Sequence, residues 1–158
     1  MQTLNVGAGR TDQEYQAAEE QRRADLRTES KHDANYFFVA AVLAGIGTGL
    51  FLVRLPILVS IGAIDLLSIY GRQLGGAFHV LVMYGAAFVW VAILVGLGFA
   101  AQKGYRWAFL AGLVLYGADM IALALTFSWA SLGVHAFFVL KWFQGQKALQ
   151  DLQEPAAG

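Results

Sequence analysis

Two ionisable side chains, Asp119 and His135, stand inside long apolar runs. A carboxylate in a membrane-spanning helix costs about 2.5–3.5 kcal/mol on insertion scales, so it must face other protein and find a polar partner. Asp119 lies eight residues before Phe127 and His135 eight after it. If a tight turn near Phe127 joins two antiparallel helices, equal rise puts both side chains at one depth, about 12 Å from the turn. An Asp119–His135 pair is the simplest consequence. Tyr116 precedes Asp119 by three residues and Ser131 precedes His135 by four. Both therefore share the helical faces of the pair and can complete its hydrogen bonds. His79 falls near the same layer, at the start of an earlier apolar segment.

This cluster could do three kinds of chemistry. Hydrogen-bonded together, Asp119, His135 and Tyr116 form a polar lock that fixes the register of two helices, a common use of buried polar groups in membranes. Reached by water, the same pair becomes a path for protons or a small solute, although Trp90–Ala101 offers no polar continuation inward. With His79, the pair supplies two imidazoles and a carboxylate, a suitable metal set, but one drawn from three helices with no short ligand motif. Catalysis has less support. No nucleophile turn and no Gly-rich phosphate loop before a helix is visible, and a lone acid–base pair lacks a nucleophile. The glycines of Gly45-Ile46-Gly47-Thr48-Gly49 lie inside an apolar span and are packing glycines. The sequence thus reads as a non-enzymatic membrane protein of structural or interaction type, with no metal and no cofactor. The alternative is a small transporter or proton-coupled relay using Asp119 and His135.

The elements that must position this cluster follow from charge and apolar length. Twelve of the charged residues crowd into residues 10–33, and only seven lie between Asn35 and Phe143. Four apolar segments, at about residues 36–53, 77–101, 107–126 and 128–143, come close enough to the length needed to cross about 30 Å of hydrocarbon. The last of these is short, and Lys141 near its end can snorkel to the headgroups. The segment Leu55–Tyr70, with Pro56 and Asp65, is shorter than a confident span. Positive charge decides its place. With four spans and an inner N-terminus, nine Lys and Arg residues lie inside and only Arg54 and Arg72 outside; with five spans the count is six against five. The expected fold is therefore an all-α membrane protein. It is a four-helix bundle with both termini cytoplasmic, an outer interfacial helix over about residues 56–70, a cytoplasmic tail over 1–33 and a second over 146–158. The expected membrane is the inner (plasma) membrane of the cell.

The tail carries a helix of its own, expected from Asp12 to Arg27, with Thr11 as cap in the capping box Thr11-Asp12-Gln13-Glu14. Glu19 and Arg23 sit at i,i+4 in it. The five basic and seven acidic residues of the segment up to Asp33 argue for a solvated helix or a docking helix for a cytoplasmic protein, and against an anionic membrane surface. Zero net charge gives no reason to expect nucleic acid as a partner. The absence of cysteine excludes disulfides and thiolate chemistry. Tyr36, Tyr105, Trp107 and Trp142 would form an inner aromatic belt, and Tyr70, Phe127 and Trp129 an outer one; Trp90, mid-span, is a packing residue. Ala41, Gly45 and Gly49, then Ala92, Gly96 and Ala100, recur at helix-contact spacing. Such stripes let helices approach closely within the chain or, in the alternative, in a homo-oligomer.

The stretch from Gly98 to Leu149 resembles a group of small bacterial multipass membrane proteins of uncharacterised function. The residues that carry the likeness are Lys103 and Gly104 in a short loop, then Trp107, Ala108 and Phe109. Gly112, Leu115, Tyr116 and Asp119 follow on one helix, and Trp129, Gly133, His135 and Phe137 on the next. Gly117 stands where the group more often has alanine. Ser60–Ile69, with Ile64-Asp65, is similar to the group's outer loop. The resemblance implies the multipass topology and no reaction.

Overall fold

The computed structural model describes residues 12–52, 76–125, 127 and 129–153, which contain four helices and no strand. Helix α1, Asp12–Leu52, has 41 residues and is about 60 Å long at 1.5 Å per residue. It corrects the expectation of a polar helix ending near Arg27 and a separate span beginning near Tyr36. The reason is local. Thr28–Asn35 contains neither Gly nor Pro, so every N–H can continue the ladder. Thr28 returns its hydroxyl to the Ala24 carbonyl at 2.9 Å and so stays within the helix. Glu19 accepts from Arg23 at 3.0 Å on the exposed polar part. The Thr11 cap and the interfacial helix over Leu55–Tyr70 lie outside the described residues.

Helix α2, Gly76–Gln102, leads into α3, Arg106–Leu125, through Lys103-Gly104-Tyr105. Gly104 takes φ +84°, a conformation that favours glycine. The Tyr105 N–H closes the turn on the Ala100 carbonyl at 3.1 Å. At the other end, Phe127 makes the turn with φ 56°, at a cost of about 1–2 kcal/mol for an L-residue. Its N–H reaches the Ala124 carbonyl at 3.2 Å. Helix α4, Trp129–Gln153, has 25 residues. It runs beyond the expected end at Phe143, because residues 144–153, apart from Gly145, are mostly good helix formers and include no proline. Ala148 and Leu149 in that extension are buried.

Helix α1 packs on α2 and α4, α3 packs on α4 and, less extensively, on α2. The centre is aromatic. Phe37 of α1 stacks on Trp142 of α4 with centroids 4.0 Å apart and planes 8° apart, and Phe109 of α3 closes on Phe37 at 5.8 Å. Phe37, Phe109 and Trp142 are each 0% exposed. Trp142 is therefore a core residue, which corrects its expected place in an inner belt. Its position four residues after Phe138 puts it on the buried face of α4. Tyr105, Trp107, Phe127 and Trp129 are exposed, as belt residues would be.

The small-residue stripes also differ from expectation. Ala41 is buried, but Gly45, Gly49, Ala92 and Gly96 face outward. A Cβ built on Gly45, Gly49 or Gly96 would meet nothing within 4 Å. Gly98, Gly112 and Gly145 do admit a neighbour, each against aromatic rings. Tyr84–Gln102 in α2 and Arg106–Leu125 in α3 are long and apolar enough to cross a membrane.

Candidate functional site

Asp119 on α3 and His135 on α4 meet across the helix pair. His135 Nε2 stands 2.9 Å from Asp119 Oδ2, off the line of an ideal hydrogen bond but close enough to share a proton. The side chains are 4% and 0% exposed respectively. On the far side of the ring, Nδ1 lies 2.8 Å from the Ser131 carbonyl. A carbonyl only accepts, so Nδ1 carries a hydrogen and donates it. A further proton held between Nε2 and Oδ2 would make the pair neutral, either as a neutral imidazole facing a carboxylic acid or as an imidazolium facing a carboxylate. A neutral unit is far less costly to bury than a lone carboxylate.

Aromatic rings seal the pair. Tyr116 stacks on the His135 ring with centroids 4.5 Å apart. Trp142 presents an edge to Tyr116 at 4.6 Å and Phe138 does so at 6.0 Å. Trp90 from α2 stacks on Tyr116 at 6.3 Å, the packing role that its mid-span position suggests. Further toward the α2–α3 turn, the Phe37, Phe109 and Trp142 layer fills the space between helices. Asp119, His135, Tyr116 and Ser131 are thus gathered and buried. His79 belongs to α2, but its side chain lies outside the described residues, so the metal set of His79, Asp119 and His135 does too.

A second carboxylate, which the charged run around it does not mark out, is also buried. Asp33 is 4% exposed, and its Oδ2 has no hydrogen-bond partner among the described residues. It sits in the polar run of α1, at the end of the segment expected to be a solvated tail. Helix continuity carries it under α4, where its Cβ stands opposite Gly145. Burial pushes its carboxyl above the ordinary range, opposed by the nearby Lys141 ammonium. A raised folded-state value means that Asp33 stabilises in its protonated form, fully below the unfolded pKa, and that this is lost as pH rises through the folded value. Asp33→Asn is therefore expected to raise the melting temperature at about pH 7–8 and to lose that advantage in acid. A melting curve series against pH checks this; an Asp33→Asn protein that is less stable at neutral pH would contradict it.

No protein-family model, curated protein or solved structure matches the chain.

Proposed function

We propose that the chain is a four-span integral membrane protein of structural or interaction type, in which Asp119 and His135 form an interhelical lock. On this reading it belongs with the small bacterial multipass proteins that residues 98–149 resemble, and both termini are cytoplasmic. The outward surface supports membrane burial. Phe88, Val114, Ile121, Leu125 and Leu140 are more than half exposed along α2, α3 and α4. In water such a surface would be an extended apolar patch of the kind that drives association. In lipid it is the natural solvent-facing side. The charge bias of nine to two sets the orientation.

The observation that carries the lock reading is the seal. A relay needs water or a polar chain to both sides of its titrating group, and here stacked rings stand on the inner side of the pair. The purified protein in vesicles holding a pH-sensitive dye should pass protons no faster than protein-free vesicles. Flux that depends on the protein and disappears in Asp119→Asn would establish the relay and remove the lock.

A further inference from the structure

Helix α1 separates its charges about its own axis where it extends past the apolar layer. Arg27 and Lys31 stand one turn apart on one side, and Asp25, Glu29 and Asp33 follow at four-residue spacing on the other. The basic side looks onto a cleft of about 410 Å³, whose lining includes Arg27, Ser30, Lys31, Gln102, Lys103 and Gly104. The acidic side looks onto a different cleft of about 400 Å³, with Lys141 on its wall. Like charges at i,i+4 repel, and Lys103 adds a third cation to the basic cleft from the α2–α3 turn. Among the described residues none of the three makes an ion pair, whereas Arg22 and Arg23 both reach Glu19. A preference for cations on the inner side of a membrane decides which end of the helices they occupy. It does not sort cations onto one cleft and carboxylates onto another. The sorting leaves unneutralised positive charge converging on a space within the range of small-ligand sites, about 300–1,000 Å³.

We propose that this cleft, between α1 and the α2–α3 turn, binds a phosphate group. Three cations from two elements suit a tetrahedral anion with several charged oxygens. A carboxylate would be satisfied by the Arg27 fork alone. Ser30, 2% exposed, forms part of the floor. Gln102 is fixed by its amide, which donates to Asn35 Oδ1 at 2.8 Å across the α1–α2 contact. The Gly104 N–H is committed to the Ala101 carbonyl at 2.9 Å, so the side chains and not a backbone nest supply the binding charge. The phosphate can be carried by a lipid headgroup or by a free phosphate ester, since the cleft opens where the helices leave the apolar layer.

The test uses the full chain. In a neutral detergent, sn-glycerol 3-phosphate is titrated and followed by phosphorus NMR. In parallel, the chain is extracted from bilayers of phosphatidylcholine with added phosphatidylglycerol, and retained phosphatidylglycerol is counted by native mass spectrometry. Saturable binding of the soluble ester identifies a free phosphate source; retention of the lipid alone identifies a headgroup. In either arm, Arg27→Gln, Lys31→Gln or Lys103→Gln should each weaken binding about tenfold, and Lys103→Arg should largely retain it. Arg22→Gln and Lys147→Gln, outside the cleft, should have little effect. Arg27, Lys31 and Lys103, like Arg22 and Lys147, are exposed side chains whose neutralisation leaves the core untouched. Failure of both probes to bind, or equal weakening by the cleft and distal variants, would overturn the proposal.

Discussion

Asp119→Leu is expected to destabilise the protein by about 1–3 kcal/mol, the cost of leaving one buried polar partner unsatisfied. Leucine fits the apolar surroundings but gives Nε2 of His135 nothing to bond, and the ring cannot turn to water because Tyr116 stacks on it. Asp119→Asn should be tolerated. Its amide N–H can donate to the neutral imidazole, whose Nδ1 hydrogen stays on the Ser131 carbonyl. The double variant Asp119→Leu/His135→Leu should recover much of the loss, since removing both partners strands neither. Unfolding by denaturing detergent, followed by tryptophan fluorescence, reads all three. If Asp119→Leu were as stable as the parent, the pair would not be holding α3 to α4.

A comparable loss is expected at a position with no polar chemistry. A Cβ on Gly112 would lie 2.5 and 2.6 Å from two ring carbons of Phe37 and 3.1 Å from Trp142 Cε3. Phe37 cannot swing aside, because it is stacked on Trp142 and closed by Phe109. Gly112→Ala should therefore cost about 1–3 kcal/mol through overpacking, despite the better helix propensity of alanine. Gly117→Ala, five residues on in the same helix, is the control. Its Cβ would meet nothing within 4 Å, so the substitution should be neutral or stabilising by up to about 1 kcal/mol. The same unfolding titration compares the two. Equal effects would mean that the ring stack is not the tight centre described above.

The meeting of Asp119 with His135 was legible because it depends only on two equal spacings about Phe127 and on helical rise. Tyr116 and Ser131 followed from three- and four-residue spacing. What could not be read lies in contacts between distant segments. The small-residue stripes gave a face for Gly45, Gly49, Ala92 and Gly96, but not which way it points, and it points outward. Trp142 has the composition of a belt residue and lies four residues after Phe138. Only the arrival of Phe37 from α1 makes it core. Asp33 looked solvated because its sequence neighbours are charged, while its burial is imposed by α4 running on past Phe143. The break expected in α1 is absent for a different, local reason. Composition changes at Asn35, but hydrogen bonding does not, and nothing in Thr28–Asn35 stops a helix.

The central claim, a four-span protein with inner termini and a lipid-facing α3, is tested most directly by single-cysteine labelling. The chain contains no cysteine of its own, so each introduced thiol is the only target. Val114, 74% exposed on α3, should resist a membrane-impermeant maleimide from either side when replaced by cysteine, because its solvent is hydrocarbon. Arg72→Cys should label on intact cells, and Tyr15→Cys and Lys147→Cys only after the membrane is opened. Labelling of Lys147→Cys on intact cells, or of Val114→Cys as readily as a surface thiol, would contradict the account.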